Sequence, residues 1–284
     1  MSTDTVQTYH LQPVENDLAN RLALVTGASG GIGAACAKKL AREGCDVALH
    51  YSTNEQKAAS LAAYLRGIYP TQLFVIVQAD LGDRESTRCL VPSILAMPEV
   101  AAKHEAVSVL VANAGMGKRI RDPHDIGEDS WDEMMEINIR SQFVVTKACL
   151  EGMRKQRWGR VVLVGSIAAR GGGINGCHYA ASKGALRSMG LNLASVVAED
   201  GVTVNIVAPA MIGETGMIPE PLEQTWDSNT DLEALSRTDP GLSIAAGIPV
   251  RRLGTPCEVA NVVLMFAKTG YITGQELLIS GGLR

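Results

Sequence analysis

The 284-residue chain has no long block of basic residues, and its formal net charge is -4. That excludes nucleic acid and an anionic membrane surface as expected main partners. No apolar run reaches the length of a membrane span. The N-terminal stretch MSTDTVQTYHLQPVENDLAN has no apolar signal core and no arginine, and it carries Asp4, Glu15 and Asp17. Those absences argue against a secretory signal and a mitochondrial presequence. The terminal GGLR is not a peroxisomal address. Cysteines are scattered at Cys36, Cys45, Cys89, Cys149, Cys177 and Cys257, with no C-x-x-C pair and no histidine cluster beside them. The expectation is reduced thiols used mostly in packing, no metal site, and a cytoplasmic protein. Internal repeats and low-complexity segments are missing too, and no composition shift marks a domain boundary.

What is present is ordinary in bulk, with 46% hydrophobic and 20% charged residues. Nearly continuous apolar runs read as strands at 21–26, 45–51, 73–80, 107–115, 159–166, 202–209 and 275–280. Helical patterns fall at 30–44, 54–67, 83–97, 129–156, 179–201 and 255–268. Such alternation predicts an α/β fold, a doubly wound Rossmann-type parallel sheet of about seven strands with helices on both faces. Ligands of such sheets collect at the carboxyl ends of the strands, near the switch point. Residues 1–20 read as a flexible extension and 21–284 as one domain. The stretch 211–250 holds four of the eleven prolines and has weak periodicity, which reads as a substrate lid.

TGASGGIG (26–33) joins the first strand to the first helix. Glycines there let the backbone approach a pyrophosphate, and the helix N-terminus offers free N–H groups. The spacing T-G-x-x-x-G-x-G differs from the usual dinucleotide fingerprint. The second strand ends in ALHYSTN, with Tyr51 and Ser52 and no acidic residue to repel a 2′-phosphate. That favours NADP(H) over NAD(H). Thr53, Asn54 and Lys57 stand close by. Asp80 ends the third strand, where its carboxylate either accepts from an adenine amino group or caps the next helix.

GSIAARGGGINGCHYAASK (165–183) places Ser166 behind a glycine run and Tyr179 one helical turn before Lys183. An ammonium on the same helix face favours the phenolate and makes the phenol a usable acid or base. His178 precedes the tyrosine and points elsewhere on the helix, as part of a pocket wall or the surface. The glycines of RGGGING leave room beside Ser166.

With TGASGGIG, ANAG (112–115), Asn138, Ser166 and YAASK in this order, the chain resembles the short-chain dehydrogenase/reductase family from about residue 20 to its end. Within it the chain resembles the 3-oxoacyl-acyl-carrier-protein-reductase-like members, whose later motifs NIVAPAMIGETGM and YITGQELLISGG are similar to. The resemblance implies an NADPH-dependent reduction of a ketone to a secondary alcohol. Tyr179 would exchange the proton, Ser166 would hold the carbonyl oxygen, Lys183 would lower the tyrosine pKa and reach the nicotinamide ribose, and Asn138 would support a water-mediated relay. Cofactor contacts are implied at Gly27, Ser29, Gly31, Ile32, Gly33, Tyr51, Ser52, Asp80, Leu81, Asn113, Ala114, Gly115, Tyr179, Lys183, Pro209, Ile212 and Thr215. Ala112 and Ala210 replace a family Asn and Gly, and MIGET runs one residue longer than the family turn. Family members form homotetramers through helices matching 129–156 and 179–200, and Ala180, Ala181, Gly184, Ala185, Ala194 and Ala198 would permit close approach here. Carrier-using relatives dock an acidic protein. The basic run MRKQRWGR (153–160) favours that, while Glu199 and Asp200 oppose it, so a free small or medium carbonyl substrate is expected. The competing reading is a silent NADP(H)-binding sensor or scaffold.

Overall fold

The computed structural model describes residue 11, residues 13–171 and residues 174–283. Strands β1 (Leu22–Val25), β2 (Asp46–Tyr51), β3 (Phe74–Gln78), β4 (Val109–Ala112), β5 (Gly159–Val164), β6 (Val202–Pro209) and β7 (Glu276–Ile279) form one sheet in the order β3-β2-β1-β4-β5-β6-β7. Every pairing is parallel. Helices α1 (Gly31–Arg42), α2 (Glu55–Ile68), α3 (Arg84–Ala96), the short α4 (Pro98–Ala101), α5 (Glu128–Met135), α6 (Ser141–Lys155), α7 (Cys177–Val197), α8 (Leu232–Thr238), α9 (Pro240–Gly247) and α10 (Pro256–Lys268) complete the chain.

The continuous apolar runs follow from burial on both faces of the sheet. In β4, Val109 and Val111 join a core with Cys36, Leu40, Leu61, Val263 and Phe266 from α1, α2 and α10. Leu110 and Ala112 face the opposite way, into a core with Ile94, Val145, Met153 and Leu186 from α3, α6 and α7. The order reverses between β1 and β4, so the switch point lies above their carboxyl ends. The glycine turn follows β1 and the ANAG segment follows β4, which brings both to that crevice.

Three sequence expectations need correction. The helix expected at 129–156 is interrupted by a turn of π-helix at Glu136–Arg140. The segment 211–250 is not irregular throughout, because it contains α8 and α9. Buried Asp239 accepts backbone hydrogen bonds from Leu222 (2.8 Å), Glu223 (2.9 Å) and Leu242 (2.9 Å), and these tie residues 222–223 to the start of α9 within that segment. Finally, the extension is anchored at 15–20. Leu18 is buried, the Glu15 carbonyl accepts from Trp158 Nε1 and from Arg160 at 3.0 Å each, and Asn16 accepts from the Gly270 N–H at 2.8 Å. Residues 1–10 and 12 of the extension, and Gly172 and Gly173 of the glycine run, lie outside the described residues. All six cysteines are free thiols; Cys36, Cys45 and Cys149 pack in the interior, and Cys89, Cys177 and Cys257 are exposed, so packing explains only half of them.

Candidate active site

A cleft of about 590 Å³ runs across the carboxyl edge of the sheet. Its first end is built by backbone. Gly27 has φ +65, a conformation that side chains disfavour. A methyl group on Gly33 would lie 2.3 Å from the Gly27 carbonyl, so α1 can approach the turn this closely only with glycine there. The N-terminus of α1 has no side-chain cap and no acidic residue in its first turn. Its uncompensated N–H groups, at Gly31 and Ile32 on the cleft wall, suit an anion. His50, in β2, locks the turn. Its Nδ1 accepts from the Gly27 N–H and its Nε2 donates to the Ala79 carbonyl, both at 3.0 Å. Burial lowers the His50 pKa and keeps the ring neutral, as that pairing needs.

Thr26 and Asn113 stitch β1 to β4. Thr26 Oγ1 accepts from the Asn113 and Ala114 N–H groups at 2.9 Å each, and Asn113 Nδ2 donates to the Thr26 carbonyl at 2.9 Å. The Ala112 replacement therefore leaves this tie intact.

At the other end Ser166, Tyr179 and Lys183 converge on the cleft, though the first follows β5 and caps the 3-10 turn at Ile167–Arg170 while α7 supplies the other two. All three are buried, with Tyr179 6% and Lys183 4% exposed. Burial raises the Tyr179 pKa, and a hydrogen bond from Ser166 lowers it. Burial brings Lys183 down to about 8. Lys183 Nζ lies 5.8 Å from the centre of the Tyr179 ring and donates to the Val164 carbonyl at 3.0 Å. A phenol, a hydroxyl and an amine of lowered pKa facing one crevice can exchange a proton with a carbonyl oxygen.

A model of the short chain dehydrogenase family matches residues 21–225. The chain belongs to the short-chain dehydrogenase/reductase family. It is 33% identical over 270 residues to the 3-oxoacyl-acyl-carrier-protein reductase of Escherichia coli, covering 93% of this chain and 97% of that protein. It is 30% identical over 268 residues to the acetoacetyl-CoA reductase of Cupriavidus necator, covering 94% and 99%. Among solved structures, a double-mutant short-chain dehydrogenase/reductase of Serratia marcescens matches with a TM-score of 0.77 and 27% identity, covering 94% of this chain and 98% of that one. The chain is therefore an oxidoreductase of a family that binds nicotinamide cofactors.

The residues present fit such a cofactor. The cleft has room for one extended ligand, and its wall runs from Ser52, Thr53, Asp80 and Leu81 past Gly27, Ser29, Gly31 and Ile32 to Asn113, Ala114, Gly115, Pro209, Ile212 and Thr215. Two expected contacts lie elsewhere. Tyr51 is buried at the end of β2 and does not line the cleft, and Gly33 packs behind the turn. Asp80 does not cap α3. Its Oδ1 accepts from the Gly82 N–H at 2.8 Å, while Asp83 caps the helix by accepting from Ser86. Ala210 is not among the residues with positive φ, whereas Glu214 is, with φ +57. Thr215 lies on the cleft, its hydroxyl donating to the Ile212 carbonyl at 2.9 Å.

Asn138 sits in the π-turn, fully buried, away from the cleft wall. Its amide exchanges two 2.8 Å hydrogen bonds with the Met116 backbone. A methyl on Gly115 would lie 3.1 Å from Asn138 Oδ1 and 3.4 Å from Lys183 Nζ, so Gly115 is a thin wall between them. His178 is neither cleft wall nor surface. It is buried, neither ring nitrogen has a partner, and burial and the Lys118 charge lower its pKa.

Sequence reasoning missed His50 and Arg119. A lone polar residue in the apolar run VALHY was the available signal for His50. Arg119 reaches the cleft from the segment after β4, and nothing in GMGKRIRD marks it out. Among the described residues, no group of three or more His, Cys, Asp or Glu is placed to hold a metal ion, and no helix is long and apolar enough to cross a membrane.

Proposed function

We propose that this chain reduces a ketone to a secondary alcohol with NADPH, reversibly, on a free small or medium carbonyl substrate. The observation that carries the reading is the meeting of Ser166, Tyr179 and Lys183 at one end of a cleft whose other end is an uncapped, glycine-lined helix N-terminus. The bound cofactor supplies the hydride to the carbonyl carbon. Tyr179 donates its proton to the carbonyl oxygen, and Ser166 holds that oxygen by a hydrogen bond. Lys183, as an ammonium, favours the phenolate that remains. The alcohol's formation thus consumes one hydride and one proton. Gly31, Ile32 and Ser29 would hold the pyrophosphate, and Ser52 and Thr53 the 2′-phosphate, since no carboxylate ends β2.

The Tyr179→Phe variant tests the roles. It keeps the ring and loses the proton, so NADPH binding should persist while kcat falls by about a hundredfold or more. Near-normal kcat would overturn the assignment, and cofactor binding without turnover of any ketone by the unaltered protein would leave the sensor reading.

The preference for a free substrate rests on charge. Arg154 and Arg157 pair with Asp200 at 2.8 and 3.0 Å, Lys155 pairs with Glu151, and Arg160 is buried against Trp158. The basic run therefore has little charge left for an acidic carrier. It also lies, with Glu199 and Asp200, by the amino ends of β5 and β6. Within one chain that is the edge opposite the cleft, so neither the basic run nor the two acids stands beside the reaction centre. A homotetramer remains part of this proposal. Ile139, Phe143, Ala185 and Met189 share a groove on α6, α7 and the π-turn with the charged Arg84, Asp132, Glu136 and Arg140, whereas Ala194 is buried within its own chain and is removed from the expected interface. Light scattering that finds only monomer at micromolar concentration would refute it.

A further inference from the structure

Beyond Ser166 and Tyr179 the cleft wall is formed by Met116, Gly117, Ile174, Asn175, Met217 and Ile218. Most of this surface is apolar. Three charged side chains line the cleft as a whole, and two have evident places: Asp80 beyond the glycine turn, and Lys183 at the reaction centre. The third, Arg119, stands on the rim of the substrate end. Its neighbour Lys118 is answered by Glu133 at 2.5 Å. Arg119 is not: no carboxylate among the described residues pairs with it, and Nη2 donates to the Met217 carbonyl at 2.5 Å. A guanidinium has five N–H donors in a fork that matches a carboxylate. The neutral amide of Asn175 lies near this point. A methyl on Gly117 would lie 3.4 Å from Met217 Cε and 3.6 Å from Asn175 Nδ2, so these residues crowd one spot beside the arginine's partner.

We infer that the substrate is an oxo acid, a ketone whose carboxylate is held by Arg119 while its apolar chain lies along Met116, Ile174 and Ile218. This rests on the reductase reading and adds a specificity-determining residue to it. The Met217 carbonyl belongs to the 211–250 segment, so a carboxylate on Arg119 also bears on the contact that joins the β4 loop to that segment. An uncharged ester of the same ketone keeps the chain and the carbonyl and loses the charge-assisted pair.

The test compares 3-, 4- and 5-oxohexanoate with their methyl esters as substrates with NADPH. At the best spacing the acid should exceed its ester in kcat/KM by about tenfold or more, chiefly through KM, and the advantage should shrink at high salt. Arg119→Gln should bring the acid down to the level of its ester, and Arg119→Lys should keep part of the preference. Equal or better esters at every spacing, or a preference that survives in Arg119→Gln, would overturn the inference. A second measurement separates this from the reductase reading. Calorimetry of 5-hydroxyhexanoate and its methyl ester, with the protein saturated by NADP⁺, reads the carboxylate preference even if no ketone is turned over. Tighter acid binding that is lost in Arg119→Gln supports the arginine's role, and indifference to the charge refutes it.

Discussion

Lys183→Met should make the protein more stable while abolishing its chemistry. Burial holds the Lys183 ammonium at about 8 against an ordinary 10.5. At about 1.4 kcal/mol per unit, that gap is a cost of about 3 kcal/mol to the folded state whenever both forms are protonated. The one hydrogen bond it makes, to the Val164 carbonyl at 3.0 Å, is lost in the variant, and leaving that carbonyl unpaired costs about 1 kcal/mol. Methionine fills a similar volume without charge. The net expectation at pH 7, without cofactor, is a gain of about 2 kcal/mol, or several degrees in Tm.

The pH dependence gives the sign independently. A lysine whose folded pKa is depressed penalises the fold fully below about 8, and the penalty disappears as pH rises from 8 towards 10.5. The variant's advantage should therefore be largest near pH 7 and vanish by pH 10.5. Cys36 and Cys45, whose thiols burial pushes up to about 12, act in the opposite direction above pH 9. They are common to both proteins, so the difference between the two melts isolates Lys183. Chemical denaturation of both forms at pH 7, 9 and 10.5 is the assay. A variant no more stable than the unaltered protein at pH 7, or a difference that does not shrink with pH, would refute the reasoning.

Ser52→Asp places a carboxylate on the cleft at the end of β2 and should move preference from NADPH to NADH, read as the ratio of kcat/KM for the two. If the unaltered protein already prefers NADH, the NADP(H) assignment fails. Gly33→Ala forces a methyl to within 2.3 Å of the Gly27 carbonyl, so it should cost about 1–3 kcal/mol and weaken NADPH binding. Gly67→Ala is its counterpart. Nothing lies within 4 Å of a methyl there, near the end of α2, and the exchange should stabilise by about 0.5–1 kcal/mol in thermal melts. A stabilising Gly33→Ala would show that the turn is not packed as described.

The strands were legible because burial on both faces removes polar residues from them. LALV in β1 and VLVA in β4 are wholly buried. Helix α7 was legible in its body but at neither end: it runs Cys177–Val197 rather than 179–201, since Gly176 accepts the first turn's hydrogen bonds without a side-chain cap and residues Ala198–Asp200 tighten into a 3-10 turn. The break at Glu136–Arg140 left no breaker residue in EINIR. It is a tertiary effect, with Asn138 drawn to the Met116 backbone across the space between elements. The anchoring of Glu15 and Asn16 was hidden for the same reason. It uses their polar groups against Trp158, Arg160 and Gly270, residues remote in the chain.

The two ends of the cleft differ in how they are encoded, and that explains which half could be read. The phosphate end is made of backbone, so it needs particular small residues at fixed spacing within one turn, and the need is written contiguously in TGASGGIG. The proton-transfer end likewise needs two side chains one helical turn apart, and YAASK states that within five letters. The substrate wall has no such local requirement. Met116 and Arg119, Ile174 and Asn175, and Met217 and Ile218 come from three separate segments that meet only after the sheet and α7 have formed. Side chains there are selected for the shape and charge of a molecule outside the chain, and no backbone geometry constrains them. Where a fold permits many residues at a position, the residue present reports on the ligand rather than on the fold. An arginine on a rim that otherwise carries no charge, with no acidic partner among the described residues, is therefore more informative about the substrate than any of the motifs that identify the family.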